Sequence, residues 1–144
     1  MTKKAIVFIY VLFFLIACSI KTKPIGYGQD HCYHCEMTIV DQNHAALYLT
    51  KKGKQFNFDA AECLIGGLKK IDETKIAQIM VTNYGHPKQM INAKTAIYLV
   101  SKGIKSPMGA NLSAFNTKEE AQIAQKKYGG KLYTWTQIKK QISF

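Results

Sequence analysis

Two stretches of this chain repeat one another, and the repeat limits the fold more than any other feature. Ala46-Leu47-Tyr48-Leu49 matches Ala96-Ile97-Tyr98-Leu99 at an offset of 50 residues, and Phe58-Asp59 with Glu62 matches Phe115-Asn116 with Glu119 at an offset of 57. Each half reads strand, strand, helix. The difference between the offsets is about the length of the loop holding Met108. The alternative is coincidence between two ordinary hairpin-plus-helix units. The expected fold is α+β, with two similar small ββα units packed together, roughly residues 30–75 and 76–144.

Local signals fill in the halves. Met37 to Val40 and Ala45 to Thr50 read as strands around the polar turn Asp41-Gln42-Asn43. Lys51-Lys52-Gly53-Lys54 is a hairpin turn, and Gln55 to Phe58 alternates polar and aromatic. Asp59 reads as a helix N-cap with Glu62 as its capping-box partner, in a helix weakened by Gly66-Gly67. Ala77 to Thr82 and Thr95 to Val100 read as strands, and residues 102–113 as a loop. Asn116 with Glu119 repeats the cap, Ala121, Ala124 and Tyr128 share a helix face, and Gly129-Gly130 stops the helix. A short strand at Leu132 to Thr134 and a small helix from Thr136 close the chain.

The first residues lie apart from this pattern. Lys3 and Lys4 precede an unbroken apolar run of thirteen residues, Ala5 to Ala17. That is short for a membrane span and fits the h-region of a signal peptide. The run ends Leu15-Ile16-Ala17-Cys18, which resembles the bacterial lipobox and implies lipidation of Cys18. The alternative is a plain signal peptide followed by a chance cysteine. The expected organisation is a signal peptide at 1–17, a tether at 18–29 containing Pro24, Gly26 and Gly28, and a folded domain at 30–144. A lipid on Cys18 would hold the mature chain on a bacterial membrane, facing the periplasm or the exterior, without a spanning helix.

The net charge is +11, and loss of Lys3 and Lys4 with residues 1–17 leaves +9. An exported location argues against nucleic acid, and no aromatic-interleaved basic stripe is evident. The basic face suits anionic lipid or an acidic partner.

With Cys18 set aside, Cys32, Cys35 and Cys63 remain, and an odd number leaves at least one thiol outside any intramolecular disulfide. Asp30-His31-Cys32-Tyr33-His34-Cys35-Glu36-Met37 gathers two thiols, two imidazoles and a thioether. Soft sulfur ligands favour Cu(I), and imidazole suits copper or zinc. A strand would put Cys35 and Met37 on one face. Three other readings compete. A Cys32–Cys35 disulfide is allowed outside the cytoplasm, but it explains neither the histidines nor Met37. A thioredoxin-like redox site would open a helix after a strand. A Cys₄ zinc site needs a second Cys-x-x-Cys. Met108, in Ser106-Pro107-Met108-Gly109, is either displayed on a turn or plugged into the core. Cys63 reads as a buried small residue, with a ligand role as the alternative. His44, His86 and Met90 carry weaker expectations.

The lipobox, Asp30-x-Cys32-x-x-Cys35-x-Met37, Phe58-Asp59, Pro107-Met108-Gly109 with Ala114-Phe115, and Gly129-Gly130 together resemble the NosL family of copper-binding lipoproteins. The resemblance runs over nearly the whole mature chain, and the order of the motifs carries most of its specificity. It implies the paired ββα fold and a non-enzymatic, membrane-anchored metallochaperone. That protein would bind Cu(I) and deliver it for assembly of the nitrous oxide reductase copper site, as part of denitrification. Its implied partners are apo nitrous oxide reductase and a membrane maturation and transporter complex. Carried over by position, the metal ligands are Cys32, Cys35, Met37 and Met108, with His31, His34 and Cys63 as further candidates. Where the family usually has glycine between the second cysteine and the methionine, this chain has Glu36. The alternative function is an exported thiol–disulfide oxidoreductase using Cys32 and Cys35.

Overall fold

The computed structural model describes residues 20–142, so the signal-peptide and Cys18 expectations lie outside the described residues. It contains two small antiparallel sheets. The first has the order β2-β1-β3-β4, from β1 (Ala46–Thr50), β2 (Gln55–Phe58), β3 (Ile76–Thr82) and β4 (Met90–Asn92). The second has the order β6-β5-β7, from β5 (Ile97–Val100), β6 (Leu112–Phe115) and β7 (Lys131–Tyr133). Helix α1 (Ala61–Leu68) follows the β1–β2 hairpin, and α2 (Lys118–Tyr128) follows β5–β6. A third helix, α3 (Trp135–Gln141), comes last.

The repeat is therefore real as architecture, since each half places a hairpin before a helix. The two hairpins differ by one residue in register: Ala46 faces Phe58, whereas Ile97 faces Phe115. β3 and β4 lie beyond residue 75 in sequence, yet they complete the first sheet.

The halves share one core. Tyr48, Phe58, Leu64 and Ile65 of the first half pack in the same buried cluster as Tyr98, Leu112, Trp135 and Ile138 of the second. Every residue of α1 is buried. A helix covered all round needs short side chains where neighbours approach closely. The Gly66-Gly67 pair supplies them, because a β-carbon on Gly67 would meet the Phe58 ring at 2.9 Å. Polar ties also cross the halves. His44 is buried, with Nδ1 3.0 Å from Asp41 Oδ2 and Nε2 3.2 Å from Ser113 Oγ on β6. Between the two sheets, the amide of Tyr84, just after β3, donates to the Ala114 carbonyl of β6 at 2.8 Å.

Several local expectations need correction. Met37 to Val40 is not a strand. His31 and Thr38 form a lone antiparallel bridge, and the residues between them curl into a tight loop. Asp59 does not cap α1. The cap position is Ala60, without a side-chain hydrogen bond, and the Asp59 carboxylate is buried with Oδ1 unpartnered instead. The cap of α2 is Thr117, one residue after Asn116. Its hydroxyl accepts from the Glu120 amide at 3.2 Å, and Glu120 Oε2 accepts from the Asn116 amide at 3.2 Å. Thr117→Ala should lower stability by about 1 kcal/mol, read as a shift in the urea midpoint without change of slope. Part of the expected 102–113 loop is strand β6, whose alternation is masked because all four of its residues are buried.

Residues 20–29, which the sequence suggests as a tether, lie on the domain. Ile25 is buried. The Lys23 amide donates to Gln55 Oε1 at 2.7 Å, and Gln55 Nε2 donates back to the Lys23 carbonyl at 3.0 Å. Proline and glycine here shape a surface-hugging path rather than a free linker.

Candidate metal centre

The loop carrying Cys32 and Cys35 closes on itself. The Cys32 amide donates to the Met37 carbonyl at 2.8 Å, and the Glu36 amide to the Cys32 carbonyl at 2.9 Å. This curl requires a left-handed residue, and Glu36 adopts φ +63°. Glutamate thus takes the conformation that glycine accepts without strain, so the closed loop survives the departure from the family pattern. Tyr33 pins the loop to the sheet. Its amide donates to the Asn57 carbonyl at 2.9 Å, and its ring meets the Phe56 ring edge-on at 4.5 Å. On the other side His34 rests on α1, where a β-carbon on Gly66 would meet His34 Nε2 at 3.0 Å.

This loop brings Cys32 and Cys35 against Cys63 of α1. The three sulfurs lie within 4.8 Å of one another, and Cys35 Sγ is 3.8 Å from Cys63 Sγ. All three are free thiols. Metal–thiolate bonds of roughly 2.3 Å would set three sulfurs around one ion roughly 4 Å apart, so the cluster needs little contraction to hold one. Cys32 and Cys63 are buried, and Cys35 is half-buried. The cluster therefore meets solvent at Cys35.

The electrostatics favour an anion on Cys32. Its pKa is pushed well below that of a free thiol, first by a hydrogen bond from Cys63 and then by the backbone amides of Cys35, Asp59 and His34, against the opposing effect of burial. Cys63 is pushed up, chiefly because it donates to Cys32 and is buried. Cys35 is pushed up by burial. Two buried acids stand beside the thiols. Burial raises Asp59 to about 6, the nearby Cys32 charge adds to this, and its Oδ1 has no hydrogen-bond partner. Glu62 is also pushed up by burial, opposed by the Ser106 hydroxyl.

Glu62 links the thiol helix to the Met108 loop. Its Oε1 accepts from Ser106 Oγ, and the Gly109 amide donates to the Ser106 carbonyl at 3.0 Å, which closes the turn around Met108. Met108 is half-buried against the main core. Ser106→Ala would strip the buried carboxylate of that partner. We expect a loss of about 1–3 kcal/mol in denaturant unfolding, larger at pH 8 than at pH 5 because the charged carboxylate is the form that suffers.

The sequence candidates thus separate by position. Cys32, Cys35 and Cys63 converge. Met37 is 53% exposed beside the loop, and Met108 sits on a turn tied to α1 through Glu62. His31 is exposed, and neither it nor His34 joins the thiol cluster. His44 is committed to Asp41 and Ser113, His86 Nε2 lies 3.8 Å from Glu120 Oε1, and Met90 Sδ takes the Thr82 hydroxyl at 3.5 Å. Sequence reasoning missed the structural roles of Asp59 and Glu62. The available signal was an acid inside the otherwise apolar run Ala61-Glu62-Cys63-Leu64-Ile65.

Comparison with known proteins places the chain in a family. The copper-binding lipoprotein NosL of Stutzerimonas stutzeri is 25% identical over 125 residues, covering 81% of this chain and 66% of that protein. The matched chain thus spans just under two thirds of that relative's length. The crystal structure of the copper chaperone NosL from Shewanella denitrificans matches with a TM-score of 0.71 at 23% identity, covering 82% of this chain and 95% of that one, and so supports the fold. Both are named for copper binding or chaperoning rather than for an enzymatic reaction. The NosL family model matches residues 27–143, which takes in both sheets and the thiol cluster, and the chain belongs to the NosL family.

Proposed function

We propose that the protein is a membrane-anchored Cu(I) metallochaperone, lipidated at Cys18 and facing the periplasm or exterior. Its cargo serves assembly of the nitrous oxide reductase copper site, with apo nitrous oxide reductase and its membrane maturation and transporter complex as partners. The observation that carries this reading is the convergence of three free sulfurs, with no histidine or carboxylate completing a four-ligand group among the described residues. Such a set suits a soft ion of low coordination number better than tetrahedral zinc. The ligands in this reading are two or three sulfurs drawn from Cys32, Cys35 and Cys63, with a thioether from Met108 or Met37 able to replace one of them.

The chemistry follows from the thiols. Cys32 is poised as a thiolate and makes the first bond. Bonding of Cys35 and Cys63 then releases their protons, so loading acidifies the medium and strengthens as pH rises. Cys35 is the thiol nearest solvent, and exposed Met37 stands beside it. An incoming acceptor ligand would therefore meet the ion from that side, and transfer through a shared intermediate would avoid free copper.

The reading is tested by anaerobic Cu(I) titration against a chromogenic chelator, followed by transfer to apo nitrous oxide reductase. Stoichiometric binding of one ion and acquisition of copper by the acceptor support it. Thiol-dependent insulin reduction without tight copper binding would instead favour an oxidoreductase using Cys32 and Cys35.

A further inference from the structure

The clearest concentration of unpaired charge outside the thiol cluster lies at the tip of the β1–β2 hairpin. Lys51, Lys52, Lys54 and Lys75 rim a groove lined by Phe56. Lys21, Lys23 and Lys54 rim an adjoining groove that also holds Asp30. Six lysines therefore crowd one end of the molecule. The acids facing them are few. Asp30 accepts from the Gly26 amide at 2.9 Å and from Asn57 Nδ2 at 2.8 Å. Asp72 lies 3.9 Å from Lys75 Nζ. Among the described residues, Lys21, Lys23, Lys51 and Lys52 have no ion pair.

The chain's path toward Cys18 leaves from this same end. Residues 21–24 run along β2, fixed by the paired Lys23–Gln55 hydrogen bonds. Ile20 lies over the turn, where a β-carbon on Gly53 would meet its Cγ2 at 3.9 Å. Cys18 is two residues further along the sequence. Two residues reach at most about 7 Å. That is less than the Debye length of about 8 Å at physiological ionic strength, so a lipid on Cys18 would hold these lysines within electrostatic range of the headgroups.

We infer that the β1–β2 hairpin tip is a docking surface for anionic lipid headgroups, which holds the domain upright on the membrane with its thiol cluster turned away. The inference rests on the reading of Cys18 as the lipid anchor and adds an orientation to it. Phosphates would sit among the lysines, with exposed Ile20 supplying apolar contact at the interface. A single lipid attachment plus a basic patch is a stronger membrane tie than either alone. The orientation follows from β2, which runs from Gln55 at the tip to Phe58, just before the Asp59 amide that faces Cys32. Four residues of strand separate the two ends, about 13 Å. The copper face would thus stand clear of the headgroups and open to a partner.

The test uses the full lipidated protein in phosphatidylcholine vesicles with and without phosphatidylglycerol. Amine acetylation of each lysine is followed by mass spectrometry, and flotation with the vesicles is measured in parallel. Phosphatidylglycerol should slow Lys21, Lys23, Lys51 and Lys52 about fivefold, the factor expected for one lysine near an anionic surface. Lys126 and Lys127 on α2 should be unchanged. High salt should remove the protection. Lys51→Glu with Lys52→Glu, both exposed turn positions, should abolish protection at Lys21 and Lys23 while leaving flotation intact. Flotation with equal lysine reactivity in both vesicle types would overturn the docking surface, leave the anchor standing and assign the basic end to an acidic protein. Failure to float with pure phosphatidylcholine would refute the anchor. In that case, hairpin protection by phosphatidylglycerol alone would still uphold the docking surface.

Discussion

Cys32→Ser should reduce Cu(I) affinity at least a hundredfold, the largest loss expected from any single side chain. Changes to groups that only support a metal ligand typically weaken affinity about 10- to 100-fold, so loss of the principal ligand should exceed that range. Cys32 is singled out because it accepts from Cys63 and faces the amides of Cys35, Asp59 and His34, so it alone begins as a stabilised anion. Serine keeps the size and loses the soft donor. Cys63→Ser and Cys35→Ser should each have smaller effects, since Cys32, the preformed thiolate, remains in either case. His31→Ala and His34→Ala should leave affinity within a few-fold of the parent, because neither ring belongs to the cluster. Competition titration with a chelator of known affinity reads all five. Near-equal affinity of Cys32→Ser and the parent would remove the cluster from the binding site.

The second large effect concerns pH and the metal-free protein. Asp59 is raised from 3.8 to about 6, mainly by burial. Between those values the folded chain holds a proton that the unfolded chain has released. Stability should therefore rise as pH falls from about 6 to 4, and fall as pH climbs through 6. A separation of about two pH units corresponds to about 3 kcal/mol. Glu62 is raised in the same direction and steepens the trend. Asp59→Asn cannot ionise, so it should flatten the profile and raise the midpoint of thermal unfolding at pH 7.5. Thermal scans of the reduced, metal-free protein from pH 4 to 8 provide the measurement. A parent profile that is flat or rises with pH would contradict the assignment to Asp59.

The fold was readable where periodicity and turn chemistry acted together. The Ala46–Leu49 and Ala96–Leu99 stretches identified both central strands, and Gly129-Gly130 ended α2 where expected. It was obscured where burial was complete. Leu112–Phe115 is buried at every position and displays no polar face to reveal its period, whereas α1, equally buried, was legible only from the acids at its start. Asp59 and Glu62 resembled helix-start residues because Ser/Thr/Asp followed by Glu is a local pattern. Their use is long-range: Glu62 reaches Ser106, 44 residues away. The two thiols of Cys-x-x-Cys were legible from spacing alone. Cys63 was less so, because its proximity to Cys35 depends on the hairpin folding back across 28 residues.

That separation has a mechanical consequence. An ion shared by Cys35 and Cys63 fastens the amino-terminal strap to the helix like a clasp, enclosing the whole β1–β2 hairpin. Closing a loop of this length restricts the unfolded chain by roughly 3–4 kcal/mol if it acts like a covalent cross-link. Cargo would then be written into the local stiffness of residues 30–39. A loaded molecule would present a taut strap and an emptied one a looser strap. A partner that grips this segment could tell the two apart without touching the metal itself.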